Sequence, residues 1–321
     1  MTETDLQLIY YDFHKVALPF VKNLPNLFPP VCQTLTFYLR MVSFVMAYSF
    51  MEPINPALDP SDTEQEKAPP MLVPMADILN HVSKHNAELS YGATYLKMIA
   101  IKDIEKGEEV FNTYGMLDNA QLLNMYGFAE LFPANINETV TIPIRLLKEV
   151  AEQLDVHKQK PDLLLCKWNY MQNSNVGDET DEFIVGMKGF LTRYEVLICL
   201  KILHMEETAF NAQKDQGFDE DLDMFFSDDN EENEEENNND DDDDDELLKF
   251  KHLKKLDAAW RRTLRICAEK CLERYRTSLA EDTRLLDEGQ VKTRINRQRY
   301  AFYTTYSQKK LLQRLIHFCR E

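Results

Sequence analysis

Three stretches in the first half of the chain decide its fold: PMADILNHVSKHNAEL (74–89), KGEEVFNTYG (106–115) and NAQLLNMYGF (119–128). Two segments near the first stretch, AELSYG (87–92) and TYLKMIAI (94–101), alternate side chains with the period of a half-buried β-strand. The second stretch begins with a turn, where its glycine can take a positive φ, and VFNTYG then predicts a third strand. The third stretch predicts a short helix that ends at its glycine. Together they predict a compact β-type region.

Most of the remaining chain carries apolar residues at helical spacing. These residues cover 3–24, 31–50, 143–155, 192–206, 247–279 and 291–319. A last strand is predicted in TVTIPI (139–144), and TRYE (192–195) predicts a capping box at the start of the helix that follows. The sequence therefore predicts a small β-domain and then a helical one, divided near 135–145.

The charge of the chain is distributed unevenly. The net charge is −19, but residues 219–246 hold 18 Asp and Glu and no Lys or Arg. Residues 247–321 hold 19 Lys and Arg against 8 Asp and Glu. Because the charge is bipolar, the overall acidity is a poor guide to partners. A 44% hydrophobic fraction with 18 Phe and 14 Tyr excludes a wholly disordered chain.

The acidic stretch DDNEENEEENNNDDDDDDE (228–246) has no apolar side chain, so we expect a disordered loop. Its simplest interpretation is a solvated insertion. The alternatives are that it docks on the basic helices of the same chain, or that it mimics an acidic partner such as nucleic acid. A histone-chaperone-like function is a hypothesis that rests on this stretch alone.

Metal and membrane sites are not expected. His81 and His85 have the i,i+4 spacing of a zinc pair, but residue 82 is not Glu, which excludes HExxH chemistry, and the six cysteines form no CxxC pair. The most apolar run, residues 35–50, is interrupted by Arg40 and is too short to span a bilayer. With no signal peptide visible, we expect an intracellular protein without membrane contact.

Polar and aromatic residues in this half of the chain are the candidate site. Asn80 and His81 lie in the first stretch, Tyr114 in FNTYG, Tyr126 in MYGF and Tyr48 in VMAYSF. Taken singly, Asn80 and His81 are typical of polar loop residues that hydrogen-bond the backbone where two chain segments cross. Each tyrosine reads as a core aromatic with a hydrogen-bonded hydroxyl. Their order and spacing favour a site.

In that order, ADILNHVSKHN, KGEEVFNTYG and NAQLLNMYGF resemble the C-terminal half of a SET domain, the protein-lysine methyltransferase fold. Asn80 and His81, with Asn86 six residues after Asn80, match the NHxxxxN element of that family. The helical tail is similar to the substrate-binding domain of the Rubisco-methyltransferase-like branch. The chain is therefore identified as resembling this branch of the SET-domain methyltransferases.

The resemblance implies an α+β fold: a partial SET β-fold with a helical insert, followed by an all-α C-terminal domain. The expected ranges are 1–52 for the insert, 53–70 for an exposed loop, 71–134 for the SET half, and 140–321 for the helical domain with its acidic loop 219–246. None of the nine glycines forms the GxG turn of the family. The N-terminal Gly-rich strands of the SET domain are therefore expected to be missing.

The resemblance also implies roles for individual residues. Tyr114 would be the catalytic residue, and Asn80, His81, Tyr126 and Tyr48 would bind S-adenosylmethionine. Tyr48 would also line the channel for the substrate lysine. His85 would be structural, and no metal would be required.

The implied function is S-adenosylmethionine-dependent methylation of lysine side chains in protein substrates. The expected compartment is the nucleus, with the cytoplasm second. Because the basic helices lack interleaved aromatics for base stacking, direct nucleic-acid binding is not expected. A catalytically inactive, truncated SET protein that acts as a protein-binding module is the alternative.

Overall fold

The computed structural model describes residues 4–50, 70–92, 95–154, 156–157, 160–174, 181–214 and 247–320. The chain forms two compact units, Met1–Met116 with Gln121–Phe128 and Leu117–Ala120 with Ala129–Glu321. Among the described residues, no helix has the length and apolar character needed to cross a membrane. The predicted acidic loop 219–246 lies outside the described residues, as does the predicted exposed loop except for Pro70. The predicted domain ranges stay predictions.

The first unit begins with helices. They are α1 (Thr4–Asp12), a π-helical turn (Phe13–Ala17), α2 (Leu18–Asn23), a 3-10 turn (Pro30–Gln33) and α3 (Leu35–Tyr48). The Thr34 hydroxyl caps α3 by accepting a hydrogen bond from the backbone N–H of Phe37 at 3.3 Å. Both predicted helical ranges in this part of the chain are confirmed.

The strands of the first unit are short and paired two by two. They are β1 (Ser49–Phe50), β2 (Met71–Leu72), β3 (Asn80–His81), β4 (Ala87–Gly92), β5 (Tyr95–Ala100) and β6 (Phe111–Asn112). β1 pairs with β2 and β4 with β5 in antiparallel register, whereas β3 pairs with β6 in parallel register. The hairpin of β4 and β5 confirms the two predicted strands. α4 (Asn119–Tyr126) follows β6.

The second unit is mainly helical. Its helices are α5 (Arg145–Gln153), α6 (Pro161–Asn173), α7 (Arg193–His204), α8 (Glu207–Gln213), α9 (Ala258–Glu273), α10 (Leu279–Asp287) and α11 (Asn296–Arg320). A 3-10 segment, Phe250–Lys255, precedes α9. The core of this unit includes the fully buried Trp168, Phe183 and Phe190.

An antiparallel sheet in the second unit departs from the all-α prediction for 140–321. It contains β7 (Thr139–Pro143), β8 (Glu182–Gly186), β9 (Gly189–Phe190) and β10 (Leu248–Lys249), in the order β10-β9-β8-β7. Only β7 was predicted. β9 and β10 have two residues each, which is too short for a strand period to be detected in the sequence.

Gly189 shows why the sheet depends on tertiary contacts. A Cβ at this position would lie 2.1 Å from the carbonyl oxygen of Leu248, so only glycine allows β10 to approach β9.

Thr192 corrects another prediction. It precedes α7, but its hydroxyl accepts a hydrogen bond from the backbone N–H of Ile184 at 3.0 Å and makes no cap. The predicted capping box is wrong because the Thr192 hydroxyl is hydrogen-bonded to the backbone of β8 instead of to the first turn of α7.

Candidate active site

The parallel pair β3–β6 forms the base of the site. Asn80 lies opposite Phe111, and His81 lies opposite Asn112. The ladder continues one step, since the backbone N–H of Val82 donates to the carbonyl oxygen of Asn112 at 3.3 Å. The pairing brings the first and second sequence stretches together at their polar residues.

Asn86 joins the two stretches through its buried side-chain amide. Its Nδ2 donates to the carbonyl oxygen of Glu109 at 3.0 Å, and its Oδ1 accepts from the backbone N–H of Phe111 at 2.8 Å. The exposed Asn80 reaches the same glutamate, with 2.7 Å from its Nδ2 to Oε1 of Glu109. The side chain of Asn86 therefore makes the hydrogen bonds that a neighbouring strand would otherwise make to the backbone at the start of β6.

His81 holds the backbone of Tyr114. Its side chain is 6% exposed, and its Nδ1 accepts a hydrogen bond from the backbone N–H of Tyr114 at 2.9 Å. Because Nδ1 acts as an acceptor, a neutral imidazole must carry its proton on Nε2. The histidine thereby fixes the backbone of Tyr114, two residues beyond the end of β6.

Four rings pack into one aromatic cluster, defined here as His81, Tyr114, Tyr126 and Phe128. The ring centroids of Tyr114 and Tyr126 are 4.7 Å apart, and those of His81 and Tyr114 are 5.2 Å apart. Phe128 lies 5.9 Å from His81 and 6.3 Å from each tyrosine. Gly127, with φ of 81°, turns the chain after α4 so that Phe128 can join Tyr126 in the cluster.

The Tyr114 hydroxyl lies at the polar end of this cluster. It donates to the carbonyl oxygen of Leu79 at 3.0 Å. Burial raises the pKa of Tyr114 above its usual value, and the neighbouring Tyr126, Tyr48 and Asp77 raise it further. Burial also raises the pKa of Tyr126. Both phenols therefore stay protonated at neutral pH.

Tyr48 lies at the end of α3 and is 44% exposed. Its ring packs on Phe44 with a centroid separation of 4.9 Å. It makes no ring contact with the aromatic cluster among the described residues. It is nonetheless near enough for its phenol to raise the pKa of Tyr114.

An apolar cavity adjoins the polar end of the cluster. Its volume is about 810 Å³, and its lining includes Ile78, Leu79 and Val110. Leu79 is shared, because its carbonyl oxygen accepts the Tyr114 hydroxyl bond. A cation that enters such surroundings loses hydration, so a neutral group is favoured there.

The structure brings three predicted site residues, His81, Tyr114 and Tyr126, into direct contact, and it places Asn80 beside them on Glu109. His85 turns aside, with its Nδ1 3.3 Å from the carbonyl oxygen of Ser83. Within the described ranges, no group of three or more His, Cys, Asp or Glu could hold a metal ion.

Two contributors were not assigned roles from the sequence. Phe128 completes the cluster, and the only signal for it was its position after the glycine that ends α4. Asn86 was identified as a motif residue, but its role as a clamp on β6 follows from its hydrogen bonds alone.

Comparisons with known proteins agree with this arrangement. Residues 14–115 match the family model described as SET domain, and residues 158–312 match the one described as Rubisco LSMT substrate-binding. The first range contains β3, β6 and Tyr114. The second covers most of the second unit.

Curated relatives match almost the whole chain. N-lysine methyltransferase setd6 of Danio rerio is 40% identical over 315 residues, which cover 97% of this chain and 65% of that protein. N-lysine methyltransferase setd6 of Salmo salar is 36% identical over 320 residues, which cover 99% of this chain and 67% of that protein. The chain thus spans about two thirds of the length of these relatives.

A solved structure has the same fold. The structure titled "Structure of Rubisco LSMT bound to AdoMet" aligns with a TM-score of 0.50 and 18% identity, over 99% of this chain and 62% of that one. Two family models in the expected order, and relatives that align over nearly the full chain, agree with the geometry of β3, β6 and the aromatic cluster. The chain belongs to the SETD6 family of SET-domain N-lysine methyltransferases.

Proposed function

We propose that this protein transfers a methyl group from S-adenosylmethionine to lysine side chains of protein substrates, with Tyr114 as the catalytic residue. The observation that carries the proposal is the Tyr114 hydroxyl, whose ring packs in the aromatic cluster and whose proton the Leu79 carbonyl orients. It lies in the segment that matches the SET domain, and the relatives are named N-lysine methyltransferases.

The reaction needs a neutral amine, because an ammonium group has no lone pair. Free lysine has a pKa of about 10.4, so the site must favour loss of a proton. The apolar cavity beside Leu79 supplies this bias, since burial lowers the pKa of an amine. An amine that enters it would leave part of its water behind.

The Tyr114 hydroxyl orients the amine. Its proton is directed to the Leu79 carbonyl, which leaves the lone pairs of the phenol oxygen available. That oxygen can accept an N–H bond from the amine and so direct the nitrogen lone pair. Because the pKa of Tyr114 is raised, the hydroxyl keeps this polarity at neutral pH.

The aromatic cluster fits the cofactor that the family uses. S-adenosylmethionine supplies an electrophilic methyl group on a positively charged sulfur. The faces of Tyr126 and Phe128 favour a cation. We assign cofactor binding to Asn80, His81 and Tyr126, and we assign Tyr48 to both the cofactor and the lysine channel. The sequence resemblance and their placement around Tyr114 support these assignments.

The proposal extends to protein substrates in the nucleus. It rests on the family resemblance alone. Fractionation of cells that express the tagged full chain tests it, and a purely cytoplasmic signal would remove this part of the proposal.

Tyr114→Phe tests the catalytic assignment. The substitution removes only the hydroxyl, so we expect methyl transfer to fall about 100-fold or more while S-adenosylmethionine still binds. Tyr11→Phe is the matched control, because Tyr11 is 60% exposed on α1. Transfer would be followed with radiolabelled cofactor on a protein array. Unchanged turnover in Tyr114→Phe would refute the assignment.

Calorimetric titration of S-adenosylmethionine into the full chain tests the cofactor site. We expect saturable binding that Tyr126→Ala weakens, because the variant removes a face of the aromatic cluster. A folded wild-type chain that neither binds the cofactor nor transfers methyl groups would favour the protein-binding alternative instead.

A further inference from the structure

A short basic turn connects α10 to α11 in the second unit. We define the basic turn as residues 291–299, VKTRINRQR, which contains four cationic side chains and no acidic one. The cations are Lys292, Arg294, Arg297 and Arg299. Lys292 and Arg297 are exposed, and the other two are partly exposed.

The described part of the chain does not neutralise the charges of the basic turn. Within the described ranges, none of its four cations forms an ion pair. The nearby Glu288 interacts with other residues: it accepts a hydrogen bond from Gln290 Nε2 at 2.7 Å and forms an ion pair with Arg284 at 3.7 Å. Four like charges in so short a segment repel one another unless an anion binds them.

The two inner arginines are held in place. The guanidinium of Arg294 lies 5.3 Å from the centroid of the Phe302 ring. The guanidinium of Arg299 lies 5.1 Å from the centroid of the Tyr300 ring. Arg299 also donates to Oδ1 of Asn296 at 3.0 Å. The side chains therefore lose little conformational entropy when they bind a ligand.

The backbone of the turn is equally constrained. The N–H of Lys292 donates to the carbonyl oxygen of Gly289, and that of Arg294 donates to Val291, each at 3.2 Å. Val291 is 1% exposed and packs in a small core with Phe302 and Tyr306. The charged groups are thus presented on a fixed support.

We propose that the basic turn is a docking surface for an acidic segment of a partner protein. Four cations that form no ion pair with the described residues match a run of carboxylates. Ile295, 66% exposed among them, supplies an apolar contact that a peptide side chain can cover. The interaction is independent of methyl transfer.

A peptide fits the turn better than a nucleic acid does. Phe302 is buried, and the guanidinium groups of Arg294 and Arg299 lie over the nearest rings, so no free aromatic face is offered for base stacking in this part of the described structure. The other basic stretch, on α9, is partly neutralised, because Glu269 pairs with both Arg265 and Arg320.

The test measures binding of a fluorescent Asp/Glu peptide with one central leucine to the full chain by anisotropy. We expect saturable binding that weakens about tenfold or more in Lys292→Glu/Arg297→Glu, since two of four attractive charges become repulsive. A peptide with Asn and Gln in place of Asp and Glu should not bind.

Lys251→Glu/Arg262→Glu is the matched control. It makes the same change in net charge at exposed residues of the same unit, and it should bind the acidic peptide like the wild type. Circular dichroism would verify that both variants fold. Equal loss in both variants, no binding by the wild type, or tighter binding of a single-stranded oligonucleotide at the same salt concentration would each overturn the proposal.

Discussion

The side chain of His81 and the backbone of Tyr114 are joined by a hydrogen bond of 2.9 Å between Nδ1 and N–H, across 33 positions of sequence. The bond ends the β3–β6 pairing and points the tyrosine into the aromatic cluster. It makes the histidine a positioning residue for Tyr114, besides its assigned place in the cofactor site.

His81→Phe should therefore lower both stability and activity. The variant keeps a ring of similar size but leaves the Tyr114 N–H without its acceptor, which costs about 1–3 kcal/mol in the free energy of unfolding. Methyl transfer should fall further than stability accounts for, because Tyr114 loses its anchor. Urea unfolding and a methyl-transfer assay measure the two effects.

His85→Ala is the control for that experiment, because His85 lies in the same stretch and outside the cluster. It should change little. His81→Asn offers an oxygen acceptor to the Tyr114 N–H and should restore part of the loss. If His81→Phe and His81→Asn behave alike, the hydrogen bond is not the cause.

Asn86→Ala should weaken the attachment of β6 to the first stretch. The substitution leaves the Glu109 carbonyl and the Phe111 N–H without partners, so we expect a loss of about 2 kcal/mol or more in the free energy of unfolding. Asn86→Asp keeps an acceptor for Phe111 but buries a carboxylate against the Glu109 carbonyl oxygen, so it should not restore the wild-type stability. Asn124→Ala, at an exposed position of α4, should be nearly neutral. Chemical denaturation ranks the three variants, and equal stability of Asn86→Ala and Asn124→Ala would contradict the clamp.

The same hydrogen bonds explain why one strand prediction was only partly right. VFNTYG (110–115) was predicted as a strand, but only Phe111–Asn112 pair as one. Beyond them the backbone is held by side chains: His81 accepts from Tyr114, and the Thr113 hydroxyl accepts from Gly115. Apolar periodicity records which face of a strand is buried and cannot show that a side chain replaces a strand partner.

The candidate site was more predictable than its surroundings. His81, Tyr114 and Tyr126 were named from motif order, and the structure brings them together. Phe128 was not singled out because an aromatic after a glycine is common in loops. The strands β8 to β10 were not predicted because their pairing depends on contacts such as the close approach at Gly189.

Glu138 predicts a pH dependence of stability in the second unit. Burial, followed by the nearby Asp118, raises the pKa of this carboxyl from 4.5 to about 8. The native chain thus keeps a proton that the unfolded chain loses above pH 4.5. The free energy of unfolding should therefore fall as pH rises from 4.5 to 8, by up to about 1.4 kcal/mol per pH unit, and then level off.

Glu138→Gln should remove this slope, because the amide does not titrate, and it should be more stable than the wild type near pH 8. Urea unfolding at about pH 5.5, 6.5 and 7.5 measures the slope. Glu149→Gln, at an exposed position of α5, should retain it. An unchanged slope in Glu138→Gln would show that another group is responsible.

A buried ion pair joins α10 to α11. Lys309 and Asp282 are 2% and 1% exposed, and Nζ of the lysine lies 2.6 Å from Oδ2 of the aspartate. Lys309 also donates to the carbonyl oxygen and hydroxyl of Thr277, at 2.7 and 2.8 Å. The Thr277 hydroxyl in turn donates to Oδ1 of Asp282 at 2.7 Å.

Breaking this pair should be costly, whereas replacing both charges should not be. Lys309→Met leaves an uncompensated buried carboxylate and should lower the free energy of unfolding by about 3–5 kcal/mol. Lys309→Met/Asp282→Leu removes both charges, so most of that loss should return. The exposed pair Arg284–Glu288, 3.7 Å apart, is the matched control, and its loss in Arg284→Met should cost about 0–1 kcal/mol. A double-mutant cycle by urea unfolding gives the coupling energy. Should the double variant be less stable than Lys309→Met, the stabilisation would come from the Thr277 hydrogen bonds and not from the pairing of charges.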